Sequence, residues 1–174
     1  MPEGGRHAPI LIATSWQALN RAISEGQETL LCNCTVVILF AGFYVEANLN
    51  HIFEQLGLEG HMKGFLGKQY PGLQDKLAFF YNEFVARSKA VSLKELRLRG
   101  VNAKVRRRFK GFGNLYRFRN DLSHGVINSS AHTLRQAQLL RSQAKDIASD
   151  LYLILRRRGH DVPTDTSYYD AIRH

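Results

Sequence analysis

The sequence predicts an all-α fold, an antiparallel helical bundle of about five helices. Three observations predict it. From Leu134 to Ile154 the apolar residues Leu134, Ala137, Leu140, Ala144, Ile147, Leu151 and Ile154 recur at helical spacing, the mark of one buried face. Alternating apolar and polar runs of the kind a strand needs are scarce. An apolar run from Leu30 to Val45 breaks off at Glu46, Asn48, Asn50 and His51. It falls short of the roughly 20 residues a membrane span requires, so it reads as a helix buried on most sides at the centre of a bundle.

Taken in order, residues 1–14 read as an irregular leader broken by Gly4, Gly5 and Pro9, without the cationic and apolar regions of a secretory signal. Ser15 can cap a first helix that runs to about Ser24, with Gly26 as punctuation. A long second helix is expected from Gln27 to about Leu56, stopped by Gly57. Gly60, Gly64, Gly67 and the Pro71–Gly72 pair predict a connecting loop. Leu73 to Lys89 form a third helix, with Leu77, Phe80, Tyr81, Phe84 and Val85 on one stripe. A basic, glycine-punctuated segment follows, and a short fourth helix begins near Asn114. The last helix spans about Ser130 to Arg158 and ends at Gly159. Arg156, Arg157 and Arg158 there complement the negative end of the helix dipole. Residues 15–160 are therefore one domain, with a loose tail over 161–174.

With 174 residues, of which 44% are hydrophobic, the chain is long enough to bury its own core. Cys32 and Cys34 are its two cysteines, and no Cys/His pair completes a tetrahedral metal site beside them. They read as small core residues of a reducing, cytoplasmic protein. No phosphate-binding or dinucleotide glycine loop is present, so neither a metal nor a cofactor is expected.

The charge is confined to one place. Between Lys94 and Arg119 lie ten lysines and arginines against one acid, Glu95, so this segment carries the whole formal charge of +9. The other fourteen cations and fourteen acids cancel. Such a segment attracts a polyanion with strong salt dependence, and Lys104, Arg106, Arg107, Arg108, Lys110 and Arg117 are its candidate RNA-binding residues. A solvated basic loop is the plain alternative, but it explains the count and not the placement. Phe109, Phe112, Tyr116 and Phe118 interleave the cations, either as base-stacking surfaces or as core anchors.

The basic segment runs into Arg119-Asn120-Asp121-Leu122-Ser123-His124-Gly125. Arginine offers a permanent, forked cation to a phosphate. Histidine both takes and gives a proton near neutrality. Cutting a phosphodiester without a metal needs both functions, and Asn120 and Ser123 are placed to orient the ring. The same seven residues also read as a helix entry with a capping or core histidine. Arg119 and His124 are five residues apart and diverge by about 140° on a regular helix. They converge only if the motif straddles an irregular helix entry or if two subunits share sites. Glu46 and Asn50 share one face of the second helix. A buried carboxylate needs a partner, and Arg119 is a candidate, with a plain solvent-facing or capping role as the other reading.

The stretch RFRNDLSHG (117–125) resembles the signature of HEPN domains: an arginine, a polar residue directly after it, and a histidine beyond four to six intervening residues. Here the spacing is four, and Asn120 fills the polar position. The long helix with FYVEANLN (43–50) and a motif opening a late helix extend the resemblance over roughly 28–158. It implies a metal-independent endoribonuclease of toxin–antitoxin or other defence systems, acting as a homodimer and held by an antitoxin or other regulatory protein. It implies Arg119, Asn120 and His124 as the catalytic trio, supported by Glu46, Asn50 and Ser123. The tyrosine that one branch carries two residues after the histidine is Val126 here, so modification at that position is not expected. The alternative is a non-catalytic RNA- or nucleotide-binding helical module, which would use the same basic face.

Overall fold

The computed structural model describes residues 7–24, 27–126 and 133–164. The described residues are helical and connecting, in the order α1 (His7–Ser24), α2 (Gln27–Gln55), α3 (Glu59–Leu66), α4 (Leu73–Phe84), α5 (Leu93–Leu98), α6 (Val101–Arg108), α7 (Phe112–Ser123) and α8 (Leu134–Arg157). The all-α bundle expected from the sequence is present, with eight helices among the described residues in place of five.

The differences have local causes. α1 begins at His7, inside the expected leader. Pro9 lies in its first turn, where a missing N–H costs nothing, and Ser15 is a mid-helix residue whose hydroxyl donates to the Ile12 carbonyl at 2.7 Å. Positions 1–6, Gly26 and the expected start at Ser130 lie outside the described residues. α3 forms where glycines predicted a loop: Met62 and Leu66 pin it to the core, and Gly67 ends it in the left-handed region at φ 61°. α4 stops at Phe84, short of Lys89, because Asn82 draws the returning chain inward by bonding the N–H and carbonyl of Ala90. The basic segment folds into α5 and α6. Ser92 caps α5 by accepting from the Glu95 N–H at 3.3 Å, and Gly100 supplies the left-handed turn between the two. α8 starts from Thr133, whose hydroxyl accepts from the Gln136 N–H at 3.2 Å.

α2 is the central element and packs against α1, α3, α4, α7 and α8. By length and composition its Cys32–Gln55 stretch would also suit a membrane span. Here it carries Val37, Ile38, Ala41, Val45, Leu49, Ile52 and Phe53 into the core, all fully buried. Each of these side chains larger than Ala41 contributes roughly 1.5–3 kcal/mol. Of the two cysteines only Cys34 is a core residue, with burial pushing its thiol pKa up; Cys32 is exposed. Asn48 and Asn82 are buried polar residues with partners. Asn48 donates to the Tyr44 carbonyl at 2.8 Å and accepts from the Tyr152 hydroxyl on α8 at 3.0 Å. The tail is anchored at its start: Val162 is buried, and the Pro163 carbonyl lies 3.1 Å from the His51 ring nitrogen. The remainder of the tail, 165–174, lies outside the described residues.

Candidate functional site

α7 carries the Arg-Asn-x-x-x-His motif, and its two ends explain how it is placed. It starts at Gly111, which sits in the left-handed region at φ 83°. A Cβ there would come within 2.2 Å of the Gln143 side chain, so a glycine lets the start of α7 approach α8 this closely. α7 ends at His124, whose backbone N–H bonds the Asn120 and Asp121 carbonyls, each at 3.1 Å. The motif therefore closes its helix and does not open it. The irregular entry that would have let Arg119 and His124 converge is absent, and the two diverge as a regular helix requires.

Arg119 faces inward. Its Nη2 lies 3.0 Å from Glu46 Oε2, and the other oxygen of Glu46 accepts from Lys76 Nζ at 2.7 Å. The partner expected for Glu46 is thus in place, and a second cation joins it. These three side chains are only 11–19% exposed, so the carboxylate is held between two cations largely out of water. Such a group depends on all its members, because removing one leaves an uncompensated charge. The Arg119 guanidinium also lies over the Phe43 ring, 5.1 Å from its centroid. Its Nε is buried and has no hydrogen-bond partner among the described residues. Gly42 makes this approach possible: a Cβ there would sit 2.6 Å from Arg119 Cγ. Asn50, one turn beyond Glu46, is half-buried on the same face.

Asn120 and His124 face outward. They are one turn apart on α7 and share its face. His124 is exposed and Asn120 half-buried. Ser123 does not orient the ring; its hydroxyl donates to the Arg119 carbonyl at 2.7 Å, the habit of a serine in the last turn of a helix. Beside Asn120 lies a cleft of about 430 Å³ between α6 and α7, lined by Arg106, Gly113, Asn114, Tyr116, Arg117, Asn120 and Asp121. Gly113, Arg117, Asn120 and His124 follow one another at helical spacing, so His124 continues the α7 wall of this cleft by one turn.

The cations of the basic segment divide in the same way. Arg108 is paired with Asp150 on α8 at 2.9 Å, and Arg99 is paired with Glu95. Glu95 itself is held below the usual carboxylate range, first by the hydrogen bond from the Val91 N–H and then by Arg99. Lys104, Arg106, Arg107, Lys110 and Arg117 are exposed and form no ion pair among the described residues. Arg108 is therefore the one expected RNA-binding residue already committed to a carboxylate. Phe109, Phe112 and Phe118 are core anchors, whereas Tyr116 is half-buried at the cleft. Among the described residues no three His, Cys, Asp or Glu side chains gather as a metal site.

Lys76 and Gly42 were missed by the sequence reasoning. For the first the available signal was its place on the apolar stripe of α4, three residues after Leu73 and four before Phe80. Comparison with protein-family models, with curated proteins and with solved structures found no match.

Proposed function

We propose that this chain is a metal-independent endoribonuclease for single-stranded RNA. The observation that carries this function is the outward stripe of α7, where exposed His124 stands one turn from Asn120 beside the unpaired cations Arg106 and Arg117. The cations hold the strand. The ribose 2′-oxygen attacks the adjacent phosphorus, and its proton passes to His124. The bond to the 5′-oxygen of the next nucleotide breaks, and that oxygen takes a proton from a second acid. The products are a 2′,3′-cyclic phosphate and a 5′-hydroxyl. One chain supplies one motif histidine, so the second acid is water or the His124 of a partner in a two-fold dimer. Arg119 acts as a positioning residue that ties the end of α7 to α2 through Glu46. Resemblance to HEPN toxins adds an antitoxin or other regulatory protein as partner and a defence role in the cytoplasm.

The test is incubation with single-stranded RNA in EDTA, beside His124→Ala, with product ends analysed. Cleavage that persists in EDTA, leaves cyclic phosphate ends and is lost in the variant is the expected result. A second function is favoured by one observation, the commitment of Arg119 to Glu46: a binding module that holds RNA without cutting it. In that case the RNA stays intact but bound, with affinity falling steeply in salt.

A further inference from the structure

The exposed cations of α6 and α7 are not equivalent. Lys104 and Arg107 are three residues apart and share another face of α6, whereas Arg106 and Arg117 line one cleft between the two helices. The Arg106 stem lies across the first turn of α7: a Cβ on Gly113 would meet Arg106 Cδ at 3.6 Å. Arg117 is braced from beneath, its guanidinium 5.0 Å from the centroid of the Phe118 ring. Neither arginine forms an ion pair among the described residues, although Asp121 also lines the cleft, so two uncommitted cations face one carboxylate there. The remaining polar walls are the side-chain amides of Asn114 and Asn120 and the ring of Tyr116. Amides offer both donors and acceptors, a match for ribose hydroxyls and base edges. At about 430 Å³ the space is of small-ligand size.

We propose that the α6–α7 cleft seats one nucleotide of single-stranded RNA. The phosphodiester lies between Arg106 and Arg117, and the sugar or base rests against Asn114, Tyr116 and Asn120. This assignment deepens the proposed ribonuclease function: it makes Arg106 and Arg117, in place of Arg119, the residues that hold the phosphate, and it presents the strand to His124 one turn further along α7. A side chain longer than alanine at Gly113 would project into the cleft beside Arg106.

The experiment measures binding of a fluorescein-labelled single-stranded RNA 12-mer to His124→Ala protein in EDTA, across a salt series. Into that background go Arg106→Gln with Arg117→Gln, Lys104→Gln with Arg107→Gln as a charge-matched control, and Gly113→Met, which fills the cleft without changing charge. Circular dichroism checks that each variant is folded. The Arg106/Arg117 pair is expected to weaken binding at least about 10-fold and to reduce the slope of log K against log salt by about 0.7, the release expected for one phosphate contact on a single strand. Gly113→Met is expected to weaken binding comparably, and the control pair to cost about 3-fold or less. Equal losses from both arginine-containing pairs, or wild-type affinity in Gly113→Met, would overturn the assignment in favour of a diffuse basic surface. Cleavage by the chain with His124 intact is read in parallel. Cleavage that survives Arg106→Gln with Arg117→Gln refutes the cleft alone. Absent cleavage with cleft-dependent binding refutes the ribonuclease and keeps the cleft.

Discussion

The two faces of α7 present adjacent motif residues to opposite environments. Arg119 turns toward α2 and joins Glu46 and Lys76 in a largely dry ion cluster. Asn120 is the next residue, yet it turns about 100° away and lines an open cleft with Arg106 and Arg117. The inward face has what a structural element needs: a glycine cut away for close approach, an aromatic floor and a carboxylate shared by its two cations. The outward face has what a binding surface needs: cations without carboxylate partners, amides and an exposed imidazole. A short motif that reads as one unit in sequence is therefore two devices in space, and the helix period separates them.

This contrast can be broken by mutation. The largest effect is expected on the inward face. Glu46→Ala leaves Lys76 and Arg119 facing each other without the carboxylate, and should cost about 2–3 kcal/mol, somewhat below the range for a fully buried pair because these side chains keep some solvent contact. The urea midpoint measures it. Gly42→Ala comes next. The new methyl overlaps the Arg119 stem, a clash of about 2–3 kcal/mol, offset by the roughly 1 kcal/mol that alanine gains over glycine in a helix. A net loss of about 1–2 kcal/mol should appear in the same measurement, and a stabilised variant would show that α7 does not press on α2 at this point. Tyr152→Phe removes the donor to buried Asn48 and should cost about 1 kcal/mol. The smallest effect belongs to the outward face: His124→Ala should stay within about 0.5 kcal/mol of the parent stability, as expected for an exposed side chain. A large destabilisation there would make His124 a structural cap and remove the distinction between the faces.

Much of the fold could be read from residue spacing, because the apolar stripes of α4 and α8 and the all-round apolarity of α2 are properties of a single helix. The Glu46–Arg119 pair was also legible, since a carboxylate in an apolar run demands a partner and the motif arginine was the one singled out. Two kinds of feature were not. α3 was hidden because glycine is a weak helix former that tertiary contacts override, here through Met62 and Leu66. The divergence of Arg119 and His124 on a regular helix was legible, but that α7 stays regular through the motif was not, because its start at Gly111 rests on the approach to Gln143, a contact between distant segments. Arg106 and Arg117 were recognised as cations but not as a pair, because only the crossing of α6 and α7 brings them to one cleft.

The division of labour on α7 is tested most directly by comparing Arg119→Gln with Arg117→Gln in two readouts, the urea midpoint and the affinity for single-stranded RNA. Arg119→Gln should lower the midpoint and leave the affinity of the folded protein near that of the parent. Arg117→Gln should leave the midpoint unchanged and weaken RNA binding. An Arg119→Gln protein as stable as its parent that nevertheless loses RNA as Arg117→Gln does would contradict the account and return Arg119 to the phosphate.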